Sequence, residues 1–347
     1  EGAVQDGTPG EPDPLRDFAA AGGRVLVLAQ QKLIPGLPVH TTLEAREWSS
    51  MPFVRTPQHP ALRGVSSWDL HFWSPGHVSA RGAYSKPDSG SFVTLVDSGT
   101  DKGLEWVQLM ECYRGKGLYL LCQLPLAASY EAEPMARELL ARIVAYAAGG
   151  QPFRCPDRHL QVVAGADSPV VSRLRGLGVA CQVVQKEAPL QVGSALLVDA
   201  AALPAPAGWK PALEGGATLI IHGASPEQAS MLSELAGRPV RLTVQPYAMW
   251  EGRGYRNGFT SLTPGLSHID LYWKEYDGAE GAVAQAEEPK HKIEDLCHWS
   301  AYADGAIEHI FPGALVEIPV GKGLLILDQV RWETANPKLC RLAARVV

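Results

Sequence analysis

The sequence predicts an α/β protein built from two tandem doubly wound modules, the first of them incomplete at its N-terminus. Two observations predict this. Three blocks of residues occur twice in the same order, which signals a duplicated unit. The second half also alternates short apolar runs with amphipathic segments, the pattern of a parallel sheet with helices packed on it. The expected layout is a linker over residues 1–14, a first module over 15–152 and a second over 153–347.

The most specific block is E-x3-G-K-G-L-x-[LI]-L-x-Q. It reads Glu111, Gly115-Lys116-Gly117-Leu118 and Gln123 in the first half. In the second half it reads Glu317, Gly321-Lys322-Gly323-Leu324 and Gln329. Upstream, Gly64-Val65-Ser66-Ser67-Trp68-Asp69-Leu70 parallels Gly265-Leu266-Ser267-His268-Ile269-Asp270-Leu271. Trp73 and Trp273 follow these runs at an offset of one residue. Further upstream, residues 15–28 parallel 209–221, each a short helix, a Gly-Gly stop and an apolar strand. The repeat distance is roughly 200 residues, far beyond the 20–50 of solenoids, so the unit duplicated is a domain.

Residues 1–14 are rich in Gly, Pro and acids and read as a linker. Gly22-Gly23 and Gly215-Gly216 supply the left-handed stop that ends a helix. The runs 24–28 and 218–221 are apolar after their first residue, as in the middle of a parallel sheet. Each G-K-G reads as a tight hairpin between two strands. Residues 134–147 and 337–346 carry apolar residues at helical spacing and close each copy. Only the second half has further units before its repeated blocks. Strands are expected over 159–164, 179–184 and 195–198, and a helix over 168–177 capped by Asp167 or Ser168. No room for such units precedes Leu15, so the chain is expected to be part of a larger protein.

Composition narrows the function classes. Of 347 residues, 46% are hydrophobic and 20% charged, which suits a globular core. The net charge of −6 gives no basic footprint for nucleic acid. No apolar run reaches the roughly 18 residues of a membrane span. The six cysteines show neither a CxxC pair nor zinc spacing. Free, mostly buried thiols are expected, because isolated Cys behaves as a small hydrophobe.

Candidate chemistry is sparse. No glycine-flanked nucleophile elbow occurs. His222 and Ser225 follow an apolar strand and could belong to a hydrolytic site, but Ser225-Pro226-Glu227 reads better as a helix start. The G-K-G runs lack the spacing and the Ser or Thr of a phosphate loop. His291, Glu294, Cys297 and His298 could share a helix face as metal ligands, yet their surroundings read as a charged, solvated loop. Asp69 and Asp270 recur with a Ser three residues before them, which favours caps, serving either copy alike. Among nine tryptophans, Trp250, Trp299 and Trp332 have no clear counterpart in the other copy. They are the candidates for carbohydrate contact, since Trp is enriched at interfaces.

Three stretches carry a family resemblance. The run His59-Pro60-Ala61-Leu62-Arg63-Gly64-Val65-Ser66, with Asp69, Leu70 and Trp73, resembles the C-terminal regions of large bacterial glycoside hydrolases of family 2, the β-galactosidase type. So do Glu111 with Gly115-Lys116-Gly117 and Gln123, and the helix bearing Ala145-Tyr146-Ala147. Those regions are similar to the flavodoxin-like, class I glutamine-amidotransferase-like fold of β-galactosidase trimerisation domains. Active amidotransferases of that fold use an elbow Cys and a His-x-Glu, and neither matches here. The resemblance therefore implies a non-catalytic accessory or assembly region of a larger carbohydrate-active enzyme. Implied partners are other domains of the same parent chain, a second copy in a homo-oligomer, and carbohydrate. No cofactor, metal, nucleic acid or membrane is expected. Secretion or a periplasmic location would follow from membership of such an enzyme. Two alternatives stay open: a carbohydrate-binding module using a cleft between the copies, and a hydrolase with a dispersed site.

Overall fold

The computed structural model describes residues 13–44, 51–74, 76–80, 82–87, 90–100, 103–149, 151–154, 160–165, 167–185, 188–203, 208–244, 251–252, 262 and 297–333. The chain forms two compact units, one mainly of residues 1–158 and the other mainly of residues 159–347.

In the first unit, helix α1 spans Pro14–Ala20. Its cap is Asp13, whose carboxylate accepts the Leu15 and Arg16 N–H groups at 3.1 Å each. Seven strands follow: β1 Arg24–Val27, β2 Leu43–Glu44, β3 Phe53–Val54, β4 Ala83–Ser85, β5 Phe92–Thr100, β6 Gly103–Arg114 and β7 Gly117–Cys122. Helix α2 spans Pro134–Gly149. The strands form one sheet in the order β1-β7-β6-β4-β2, with β5 also on β6 and β3 on β5. Leu118, Leu120 and Cys122 of β7 pack in one core with Leu139, Ile143 and Tyr146 of α2.

In this sheet β1 and β7 are parallel, whereas the other pairs are antiparallel. The expectation of a doubly wound first module is corrected here. Strands β5, β6 and β7 follow one another through short turns, and a short turn permits only antiparallel pairing.

The second unit begins with β8 Leu160–Val163, α3 Pro169–Gly176, β9 Cys181–Val184 and β10 Ala195–Asp199. It continues with α4 Trp209–Gly215, β11 Thr218–His222, α5 Ala229–Ala236, β12 Val240–Val244 and β13 Glu251–Gly252. Its last strands are β14 Trp299–Ala303, β15 Ile307–Phe311, β16 Leu315–Val320 and β17 Gly323–Asp328. The main sheet has eight strands in the order β13-β15-β16-β17-β11-β10-β8-β9. Strands β9, β8, β10, β11 and β17 run parallel. Strands β16, β15 and β13 extend that sheet antiparallel. A separate ribbon pairs β12 with β14. The protein is thus a mixed α/β structure with several sheets and few helices. The second repeated Ser–Asp block at 265–271 and the expected helix at 337–346 lie outside the described residues.

The duplication is visible as a shared substructure. In both units a helix, a glycine and a strand lie against a G-K-G hairpin. Lys116 N–H and Leu118 N–H donate to the Ala20 and Gly23 carbonyls at 3.2 Å each. Lys322 N–H and Leu324 N–H donate to the Glu214 and Ala217 carbonyls at 3.0 Å each. The equivalences shift the sequence alignment of the Gly pairs by one residue. Gly22 matches Gly216, at φ +110° and +117°, and Gly23 matches Ala217.

The two hairpin glycines serve different ends. Gly115 and Gly321 adopt φ of +54° and +59° in the turn. Gly117 and Gly323 are needed for proximity. A β-carbon there would lie 2.1 Å from the Gly23 carbonyl oxygen and 2.2 Å from that of Leu213, respectively.

Candidate functional site

The carboxyl ends of parallel strands are where ligands bind in open α/β sheets. In the second unit three such ends stand in register. Asp199 of β10 pairs with His222 of β11, and His222 with Asp328 of β17. Residues paired across parallel strands point to the same face, so the register itself sets His222 beside Asp328.

Asp328 is the hub. One carboxylate oxygen accepts from His222 Nδ1 at 2.9 Å and from Trp332 Nε1 at 2.7 Å. The other accepts the Val330 N–H at 3.1 Å. His222 Nε2 donates to Glu333 at 2.9 Å. The Trp332 ring lies 4.5 Å from the imidazole. His222, Asp328 and Trp332 are all buried.

Both ring nitrogens of His222 thus donate to carboxylates, the pattern of an imidazolium. Burial alone pulls its pKa down. The charge and hydrogen bond of Asp328, then those of Glu333, outweigh burial and raise it to about 10. For Glu333, burial pushes upward, but the His222 hydrogen bond and charge carry the carboxyl below its usual range. A general base must be neutral at its working pH, and a histidine held this way is not. Burial, seconded by the Asp328 charge, also pushes the nearby Cys297 thiol up to about 12, against nucleophilic use. At the neighbouring strand end Ser168 donates to Asp199 at 2.7 Å.

The first unit builds the equivalent place differently. Arg24 pairs with Leu118 as Thr218 pairs with Leu324, so Leu28 and Cys122 hold the positions of His222 and Asp328. On the other face Gln123 donates to Tyr84 at 3.1 Å and Gln30 to the same hydroxyl at 3.2 Å. That network carries no charge, and burial raises the Tyr84 hydroxyl to about 12.

The repeated glutamate is buried in both units and paired to histidine. His59 donates from Nε2 to Glu111 at 2.7 Å, and its Nδ1 accepts the Ala61 N–H at 3.2 Å. Tyr146 also donates to Glu111, at 2.9 Å. In the second unit His309 meets Glu317 at 3.0 Å, and burial pulls the His309 pKa down. The histidines come from different places in the two repeats, so the repeated motif showed only the glutamates.

The other candidates fall out as follows. Ser225 and Gln228 form a capping box, with Gln228 accepting the Ser225 N–H at 2.8 Å. Ser66 and Asp69 form another, at 2.7 and 2.8 Å. Cys112, Cys122 and Cys297 are buried and form no disulfide. Cys297 donates to the Trp299 carbonyl, while His298 meets Arg331 at 2.8 Å. His291 and Glu294 lie outside the described residues, among which no group of metal-ligating side chains gathers. Trp250 also lies outside them. Trp299 is half-buried in β14 and packs on the core of the second unit. The expectation of a surface position for Trp332 is corrected: it is 0% exposed because its indole N–H is drawn in to Asp328. Among the described residues no helix is long and apolar enough to cross a membrane.

No protein-family model matches the chain, and no curated protein matches its sequence. Among solved structures it is similar to an exo-β-1,4-mannosidase from Opitutaceae bacterium strain TAV5, with a TM-score of 0.31 and 10% identity over 59% of this chain and 36% of that one. It is similar to a β-galactosidase from Rahnella sp. R3, with a TM-score of 0.31 and 9% identity over 61% of this chain and 33% of that one. The chain spans about a third of the length of these distant structural neighbours.

Proposed function

We propose that the chain is a non-catalytic accessory or assembly region of a carbohydrate-active enzyme of the β-galactosidase type. One observation carries the non-catalytic part. At the strand ends where a catalyst would stand, His222 has both nitrogens committed to carboxylates and stays charged through neutral pH. The cluster pins residues 330–333 to the end of β17 instead of presenting a base. The resemblance of the His59–Trp73 and G-K-G segments supplies the enzyme class.

The parallel strands of the second unit lie in the order β9-β8-β10-β11-β17. Counted along the chain that is 2-1-3-4-5, the flavodoxin-like order. It supports a flavodoxin-like, amidotransferase-like second unit, to which the first is related through the shared hairpin and helix.

The test is turnover. The whole chain should hydrolyse p-nitrophenyl galactoside, mannoside and acetate no faster than buffer. Turnover that disappears in His222→Gln would replace the accessory reading with that of a hydrolase.

A further inference from the structure

The two copies can be read against each other to separate residues the fold needs from residues it does not. The repeated block keeps Gly64, Ser66, Asp69 and Leu70 as Gly265, Ser267, Asp270 and Leu271. Trp68 is not kept, because Ile269 stands in its place. The first copy also has one residue more between its Leu and its Trp: His71-Phe72 against Tyr272 alone. That residue is absorbed by a left-handed backbone, with Phe72 at φ +53°. Left-handed φ is uncommon for a bulky aromatic residue and marks a position held by its surroundings.

Both departures end at the surface. Trp68 is 79% exposed and Phe72 51% exposed. His71 lies between them, its ring 5.2 Å from Trp68 and 6.0 Å from Phe72, in edge contact with both. Phe53 lies 5.8 Å from the His71 ring on a third side. His222 is likewise confined to one copy, but internal partners account for both its nitrogens. Trp68, by contrast, stands largely open to solvent.

The patch is rigid from below. Trp68 sits in a short 3-10 helix over Ser67–Leu70, started by the Ser66–Asp69 capping box. Ser67 Oγ accepts the Val54 N–H at 3.0 Å, tying that helix to β3. His71 donates from Nε2 to the Pro52 carbonyl at 3.0 Å. Leu70 and Trp73 are buried, and Trp73 donates to the Asp69 carbonyl at 2.9 Å. Such pre-organisation lowers the ordering cost of binding.

We infer that Trp68 and Phe72, with His71 between them, form a platform on the first unit that stacks the pyranose rings of a glycan. This rests on the carbohydrate-active reading above and names a binding surface for it. A pyranose presents a face of C–H groups that packs on aromatic rings, with hydroxyls at its edge for polar neighbours. Asp69 supplies one: Ser66 occupies only its Oδ2. Ser66, Asp69 and Ser74, within two residues of Trp68 or Phe72 in the chain, are exposed and polar. A protein-docking face would instead centre on contiguous apolar area depleted of charge.

The test is affinity electrophoresis of the whole chain in gels carrying a soluble galactan, a galactomannan or a mixed-linkage β-glucan. At least one polysaccharide should retard the protein. Trp68→Ala should weaken that retardation by about tenfold or more, the loss of about 1.4 kcal/mol. Phe72→Ala should weaken it less. If Trp68→Ala fails to fold, Trp68→Tyr keeps a stacking ring and should retain most of the binding. The inference is overturned if no polysaccharide retards the chain, or if Trp68→Ala is retarded like the parent. It is also overturned if sedimentation shows that Trp68→Ala dissociates a dimer and no glycan binds, which would assign the patch to a second copy. Glycoside turnover would sink the accessory reading and leave the platform standing. Absent retardation with absent turnover would do the reverse.

Discussion

At the end of β11, His222 donates to Asp328 and to Glu333 at 2.9 Å each, and Trp332 donates to the same Asp328 at 2.7 Å. Removing one partner from a buried ion pair leaves the others uncompensated, at about 3–5 kcal/mol. His222→Gln should therefore lower the thermal midpoint of the second unit by roughly 6–20 °C near pH 6. The pH dependence has a definite sign. His222 has a folded pKa raised above its unfolded value, so its contribution is full below about 6.5 and is lost as pH rises toward about 10. Glu333 is shifted downward, so its contribution is present above the usual Glu range and fades in acid. The gap between parent and His222→Gln midpoints, followed by calorimetry, should shrink from pH 6.5 to pH 10; a constant gap would rule out a charged clamp. His222 was visible in the sequence after an apolar strand, but its partners lie 106 and 111 residues away. Only the parallel register of β11 on β17 reunites them. The repeated blocks held that information, since each pairs an apolar strand with the strand after G-K-G.

The hairpins show what an element demands of single residues. Gly117 and Gly323 lie outside the left-handed region, yet a β-carbon on either would meet a carbonyl of the preceding helix and that of Gly23 or Ala217, just before the next strand. A methyl group there meets backbone atoms, which cannot rotate aside. Gly117→Ala and Gly323→Ala should each cost at least about 2 kcal/mol, read as a lower urea midpoint with unchanged slope. Gly64→Ala is the control. Its φ is +78° and an added methyl would meet nothing within 4 Å, so only backbone strain remains, about 1 kcal/mol. Equal losses at all three positions would contradict the close-approach account. The hairpins and the second unit's parallel strands were legible because their runs are mainly apolar. Strand β5 was not, because buried polar residues interrupt its pattern: Thr94, Asp97 and Ser98. Each is tolerable only with a distant partner, as Asp97 has in Arg55 at 2.6 Å and Lys86 at 2.8 Å. Composition along a strand cannot announce such partners.

At the scale of the molecule, one substructure serves two units that differ in the rest of their sheets. The first surrounds it with antiparallel strands, the second with a parallel sheet. Residues common to both copies are glycines, caps, core positions and a buried glutamate, and they account for the fold. Residues confined to one copy are where function is to be sought: the His222 cluster in the second unit and the Trp68 patch in the first. In the first of these, both ring nitrogens of His222 are closed onto carboxylates. Nitrogen-15 NMR of the histidine side chains in the whole chain tests this most directly, with His222→Gln used to assign the resonances. Both His222 ring nitrogens should carry protons at pH 7, and the ring should titrate near pH 10. A neutral His222 at pH 7, titrating near the ordinary value of about 6.5, would contradict the clamp and make the strand ends a candidate active site again.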